Sequence, residues 1–220
     1  MKRTERAHTL STELPRVYPE AHCELDFKNP LELLVATILS AQCTDVRVNM
    51  VTKVLFKRCK TAADYADIPQ EELEEIVRST GFYRNKAKSL RGMGAALVEH
   101  HAGKVPSTME ELSSIPGAGR KTANVVLGNA FGINEGVVVD THVGRLSLRL
   151  GLTTNHDPVK VEQDLMKLFP QEQWTLLSHW LIWHGRRRCK ARNPDCKECE
   201  LRELCPSADS PDRYLKKKAR

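Results

Sequence analysis

Apolar residues recur in steps of three and four through most of this chain, and the two-residue alternation of a half-buried strand is all but absent. That period lines side chains along one face of a helix, so the chain must bury helical stripes rather than sheet faces. After Asn29-Pro30, a cap followed by proline at the first helical position, Leu31, Leu34, Val35, Ile38 and Leu39 form one such stripe. A second helix is expected from Thr44-Asp45, carrying Val46, Met50, Val51 and Val54. A third opens at Ile68-Pro69, turns Leu73, Ile76 and Val77 inward and stops at Gly81. Lys86 to His100 reads the same way through Leu90, Met93 and Leu97. Ser107-x-x-Glu110 has the form of a capping box and predicts a short helix ending before Ile115-Pro116. Further helices are expected over Lys121 to Phe131 and Thr141 to Leu150, after Asp157-Pro158, and along Trp174 to Trp183. Val137-Val138-Val139 is the one strand-like run, too short and isolated to build a sheet. The expected fold class is therefore all-α.

With 220 residues, 40% of them hydrophobic, the chain has enough apolar material for one sizeable core or two modest lobes. No run approaches the roughly eighteen apolar residues that cross a bilayer, and the opening MKRTERAHTL lacks an apolar segment behind its basic residues. A cytoplasmic protein is expected, and a monomer, since no oligomeric signal stands out. The net charge of +6 is unevenly placed. From Gly185 to the end there are 12 basic and 6 acidic residues, whereas the preceding 184 residues carry 22 of each. A polyanion is the natural partner of such an end, because lysine and arginine that meet phosphates release condensed counterions. Lys216, Lys217, Lys218 and Arg220 read as a solvated tail. Arg186, Arg187, Arg188, Lys190 and Arg192 differ, since they crowd around a loop bounded by cysteines.

Four of the seven cysteines follow the pattern Cys189-x6-Cys196-x2-Cys199-x5-Cys205. In a chain without an export signal this suggests metal ligation before disulfides. Four thiolates so closely spaced can surround one inorganic centre. Structural zinc usually takes two close pairs, and here only one pair has the two-residue gap; an iron–sulfur cube is larger and accepts ligands set farther apart. Spacing favours the cube modestly and leaves zinc open. Cys23, Cys43 and Cys59 read as small packing residues. His179 and His184 are expected to pack against or support the centre rather than ligate it.

The second constellation runs from Leu112 to Ala123 through Ile115-Pro116-Gly117-Ala118-Gly119-Arg120-Lys121-Thr122. A short helix, a hairpin with glycine at alternate positions and a second helix turn backbone N–H groups outward, and no side chain at Gly117 or Gly119 blocks a phosphate. Such a hairpin grips a nucleic-acid backbone without reading its sequence. Mononucleotide loops fail on spacing: a Walker loop needs glycine immediately before Lys-Thr, where Arg120 stands, and a dinucleotide fingerprint needs a third glycine where Thr122 stands. The alternative is an ordinary helical corner that uses glycine for packing.

Taken together, these residues resemble the endonuclease III family of helix-hairpin-helix DNA glycosylases. The resemblance spans nearly the whole chain and rests on Leu39-Ser40-Ala41-Gln42-Cys43-Thr44-Asp45, on the hairpin with Ala123-Asn124-Val125-Val126 behind it, on Val139-Asp140-Thr141-His142-Val143-Gly144-Arg145, on His184-Gly185-Arg186 and on the four-cysteine spacing. It implies a six-helix barrel over about residues 23–135 containing the helix-hairpin-helix at about 107–131. Residues 1–22 and 136–220 would form a [4Fe–4S] cluster lobe with the cluster loop at 189–205, and a DNA cleft would lie between the two. It also implies a bifunctional glycosylase and AP lyase acting on oxidised or ring-saturated pyrimidines in double-stranded DNA.

On this resemblance Lys121 is the amine that forms a Schiff base and Asp140 the carboxylate that faces the cation-like sugar. Asp140, directly before Thr141, is equally a good helix N-cap. Gln42 and Phe82 would fill the space left by an extruded base. Family members often carry leucine where Phe82 stands, and a core aromatic is the alternative there. Gly117, Gly119, Arg120, Lys190 and Arg192 would hold DNA phosphates, while Ser40, Asp45 and His142 would line or support the pocket. Two other functions compete. A monofunctional, adenine-removing mismatch glycosylase is disfavoured because such proteins generally lack the lysine and carry an extra C-terminal domain. A non-catalytic, zinc-stapled DNA-binding module would use the same hairpin and basic end.

Overall fold

The computed structural model describes residues 1–212, so the basic tail of Lys216, Lys217, Lys218 and Arg220 lies outside the described residues. The described chain is helical throughout: α1 (Arg3–Val17), α2 (Pro30–Leu39), α3 (Asp45–Arg58), α4 (Ala62–Asp67), α5 (Gln70–Val77), α6 (Tyr83–His101), α7 (Met109–Ser114), α8 (Arg120–Val126), α9 (Thr141–Arg149), α10 (Pro158–Leu168) and α11 (Trp174–Arg187). Caps set many of the starts. Asn29, Thr44, Thr61, Thr108, Asp140 and Asp157 each accept a backbone N–H from the first turn of the helix that follows.

The chain divides into two compact units, residues 23–133 and residues 1–22 together with the chain from Asn134 onward. The first unit contains α2–α8. Its core is built from Leu33, Leu34, Leu39, Leu55, Leu73, Leu90, Met93 and Leu97, all fully buried. α4 lies directly on α6. Gly94 is what lets them meet, since a Cβ there would stand 2.6 Å from the Ala62 carbonyl and the Ala66 amide. The second unit packs α1 with α10 and α11, and α9 with α10 and α11. Ala7, Leu10, Leu14, Leu146, Leu165, Leu177 and Leu181 form its core.

Several details depart from the sequence reading. α1 and α4 were not expected. α3 buries Val51 as expected but not Val46, Met50 and Val54, which are 67%, 54% and 58% exposed; Val48 and Leu55 join Val51 in facing the core. α6 begins at Tyr83 rather than Lys86, and α7 is capped by Thr108 rather than Ser107. Beyond Val126 the expected helix widens into a π turn over Leu127–Phe131. Val137 to Val139 is extended without a partner strand, and the Val138 N–H donates to Ser178 Oγ of α11 at 2.9 Å.

Candidate functional site

The hairpin between α7 and α8 is held by a turn in which the Ala118 N–H donates to the Ile115 carbonyl at 2.9 Å, with both side chains buried. Its two glycines have different tasks. Gly117 has φ +83, and a Cβ there would lie 2.9 Å from Ser89 Cβ of α6 and 3.4 Å from Ile38 Cδ1 of α2. The fold itself demands glycine at that position. Gly119 is extended at φ −89 and ψ −178, a conformation any residue adopts, and a Cβ there would meet nothing within 4 Å. Its bare backbone leaves open space at the start of α8, a helix with no side-chain cap. Arg120 and Lys121 stand exposed on the first turn. Among the described residues nothing engages Lys121 Nζ.

The hairpin is seated against α2 and α6, and the same two helices carry the other candidates of this unit. After α2, the Cys43 N–H donates to the Ser40 carbonyl at 3.0 Å, closing a turn that forces Gln42 to φ 54. Ser40 spends its hydroxyl on the Thr37 carbonyl at 2.8 Å, and Asp45 opens α3 half-buried. Before α6, Phe82 sits at φ 48 and is 64% exposed. It is therefore not a core aromatic. Gln42 and Phe82 are two of the four non-glycine residues with positive φ among the described residues. Left-handed backbone costs an ordinary residue about 1–2 kcal/mol. Both positions hold an exposed side chain on left-handed backbone. Next to Phe82, Arg78 and Arg84 lie 5.5 Å and 5.7 Å from the centre of the Tyr83 ring.

In the second unit Asp140 is the N-cap of α9. Its Oδ1 accepts the Val143 N–H at 2.8 Å, while no described hydrogen bond or ion pair engages Oδ2. The cap and an available carboxylate oxygen thus coexist. One turn on, Arg145 Nη2 donates to His142 Nδ1 at 3.1 Å, which places the ring proton of neutral His142 on Nε2. The same guanidinium donates to the Gly185 and Cys189 carbonyls, at 3.1 Å and 2.9 Å.

Cys189, Cys196, Cys199 and Cys205 line a single pocket with an open volume of about 410 Å³, walled also by Arg149 and His184. All four are free thiols. Among the described residues no three His, Cys, Asp or Glu groups converge closely enough to hold one metal ion. Burial pushes the Cys199 thiol up to about 11 and raises Cys196 and Cys205 as well. As bare groups they stay protonated, and ligation by thiolate needs the positive charge of a bound centre. Donors already face two of the sulfurs: Arg149 Nη1 reaches Cys189 Sγ at 3.3 Å and His184 Nε2 reaches Cys199 Sγ at 3.5 Å. Burial pushes His184 down to about 4 and raises the Tyr18 phenol. Tyr18 therefore donates its O–H to His184 Nδ1 at 2.8 Å, and Nε2 carries the proton turned to Cys199.

Arg149, 1% exposed, also ties down the loop that bears Lys190 and Arg192 by donating to the Lys190 and Ala191 carbonyls at 2.7 Å and 3.1 Å. Lys190 and Arg192 themselves are exposed. Sequence reading missed Arg149, Tyr18 and the buried Lys86 of α6. The spacing of Arg145 and Arg149, i and i+4 on a helix that buries Val143, Leu146 and Leu148, was the available signal for the first. Lys121 and Asp140 belong to different compact units.

Residues 35–171 match the HhH-GPD superfamily of base excision DNA repair proteins. Endonuclease III of Synechocystis sp. is 55% identical over 94% of this chain and 94% of its own length. Endonuclease III of Bacillus subtilis is 48% identical over 90% of each chain. The structure of a trapped endonuclease III–DNA covalent intermediate, at 45% identity, superposes with a TM-score of 0.91 over 97% of this chain and 100% of that one. At this identity and coverage, the chain belongs to the endonuclease III family within the HhH-GPD superfamily of base excision DNA repair proteins.

Proposed function

We propose that the protein is a bifunctional DNA glycosylase and AP lyase of base excision repair. It removes oxidised or ring-saturated pyrimidines from double-stranded DNA and then cleaves the abasic strand by β-elimination. The observation that carries this reading is Lys121: an exposed amine, engaged by no described partner, on the first turn after the hairpin of a chain 45% identical to an endonuclease III caught covalently on DNA. In this account Lys121 Nζ attacks C1′ as the N-glycosidic bond breaks, and the base departs with the bonding electrons and takes up a proton. Opening of the sugar ring leaves an iminium, whose electron demand acidifies C2′–H; loss of that proton expels the 3′ phosphate. Asp140 Oδ2 supplies the negative charge that stabilises the cation-like sugar, while Oδ1 keeps its cap bond.

Gln42 and Phe82 occupy the space that the extruded nucleotide leaves. Their strained exposure supports this. Gly117, Gly119 and Arg120 take backbone phosphates, and the open space over Gly119 supports that role. Lys190 and Arg192 add contacts from a loop braced by Arg149. Ser40, Asp45 and His142 complete the surroundings of the pocket. The domains would be a six-helix barrel over residues 23–135 and a cluster domain of residues 1–22 with 136–220, working in the cytoplasm at the nucleoid.

Cys189, Cys196, Cys199 and Cys205 would hold a [4Fe–4S] cluster, and the donor set suits it: four thiols around one pocket with two N–H groups aimed at sulfur. When bound, the cluster supplies four metal–sulfur bonds that cross-link this segment. Iron analysis of anaerobically purified protein tests this point, and stoichiometric zinc without iron would reject it. The function itself is tested by incubation with duplex containing an abasic site. Strand cleavage with a borohydride-trappable adduct is the expected result. Base release without cleavage, or binding alone, would overturn the proposal.

A further inference from the structure

Among the described residues Lys86 is the one lysine that is buried, at 5% exposure, in the first turns of α6. An ammonium in an apolar core is costly, and burial pulls this amine below the ordinary lysine range. A methionine would fill the same slot without that cost, so the amine's task must lie in what it touches. Lys86 Nζ donates to the Thr80 carbonyl at 2.7 Å, and the Lys86 backbone N–H donates to the Phe82 carbonyl at 3.1 Å. Between these carbonyls lies only the Gly81-Phe82 dipeptide, with φ of 71 and 48. Thr80 is itself buried, its hydroxyl turned back to the Val77 carbonyl at 2.8 Å. The first backbone hydrogen bond of α6 thus holds the Phe82 carbonyl, and the Lys86 ammonium holds the Thr80 carbonyl on the other side of the strained turn that presents Phe82.

We propose that Lys86 is a positioning residue for base extrusion: by holding the Thr80 carbonyl its ammonium keeps the Gly81-Phe82 turn left-handed and Phe82 presented before DNA arrives. This rests on the reading of Phe82 as the residue that fills the vacated space. A preformed plug loses no ordering entropy when it enters the helix, which is the advantage of pre-organisation.

The test compares excision from a duplex carrying one ring-saturated pyrimidine with excision of the same lesion in an unpaired bulge. Lys86→Met should lower the duplex rate roughly tenfold relative to the bulge, the size expected for one lost turn-holding contact. Its melting temperature should fall only slightly, because removing a buried ammonium offsets much of the cost of leaving the Thr80 carbonyl unpaired. In a Phe82→Ala background the same substitution should leave the duplex-to-bulge ratio unmoved, since the clamp would have nothing to present. Equal losses on both substrates, the same ratio change without Phe82, or a Lys86→Met protein that fails to fold would each overturn the proposal. If Phe82→Ala alone leaves the ratio unchanged, the plug reading fails instead.

Discussion

The two hairpin glycines offer a comparison in which one added methyl group has opposite consequences two residues apart. In Gly117→Ala the new Cβ must adopt φ +83 and sit 2.9 Å from Ser89 Cβ, an atom fixed to the α6 backbone, and 3.4 Å from Ile38 Cδ1. Left-handed strain costs about 1–2 kcal/mol, and overpacking a close contact costs about 1–3 kcal/mol more. The sum, about 2–5 kcal/mol, should lower the melting temperature by roughly 4–20 °C for a chain of this size. In Gly119→Ala the methyl meets nothing within 4 Å and the backbone is already in an ordinary extended conformation. Stability should hold or rise by up to about 1 kcal/mol, through a less flexible unfolded chain. DNA binding should nevertheless weaken, because the methyl stands in the space offered to a phosphate. Thermal unfolding followed by circular dichroism and titration against duplex with an uncleavable abasic analogue give the two readouts. A Gly117→Ala protein of wild-type stability would refute the steric argument. A Gly119→Ala protein that binds DNA normally would refute the phosphate site.

Phe82→Gly should raise stability by about 1 kcal/mol, by releasing left-handed strain at an exposed residue, while impairing excision from intact duplex; a destabilised variant would mean that Phe82 packs after all. Asp140→Asn should lose base excision on the order of 10² or more, with the fold kept by an amide that still caps α9. Asp140→Ala should lose as much excision and also about 1 kcal/mol of stability, and an Asn variant that unfolds would make capping the main task of the residue. His179, pushed down to about 4 by burial and by nearby His22, is neutral when folded and gains a proton on unfolding below its ordinary value of 6.5. Its contribution to stability is whole above pH 6.5 and is lost as pH falls toward 4, at about 1.4 kcal/mol per pH unit. His179→Gln should make denaturation midpoints fall less steeply across that window, His184 keeping its own share, and an unaltered pH profile would contradict the assignment.

What could be read from the sequence follows the range of the interactions involved. Helices α2, α5, α10 and α11 were legible because proline, a cap or an apolar stripe is a local signal. α1 gives only a weak local signal: Ala7, Leu10 and Leu14 are correctly spaced, but polar residues dominate the rest of Arg3–Val17. α4 has only six residues, and its stability comes from lying on α6 over Gly94, a contact no local pattern announces. On α3, Val46, Met50 and Val54 make as good a stripe as Val48, Val51 and Leu55, and only the neighbouring helices decide which turns inward. In the candidate site the hairpin glycines, Asp140 before Thr141 and the cysteine spacing were all local patterns. Tyr18 beside His184, Arg149 beneath the Lys190 loop and Lys86 under the Phe82 turn were not, since each bond is made by folding. Even the distinction between Gly117 and Gly119 is invisible without Ser89 and Ile38 in place.

The central claim is that the Lys121 amine forms the covalent bond to C1′, and it is tested most directly by locating that bond. Borohydride reduction during turnover on lesion-containing duplex, followed by protease digestion and mass spectrometry, should find the sugar remnant on Lys121. Lys121→Ala should give no trapped adduct while still binding abasic duplex through the Gly117 to Gly119 hairpin. An adduct mapped to another amine, or a Lys121→Ala protein trapped at the wild-type level, would contradict the account.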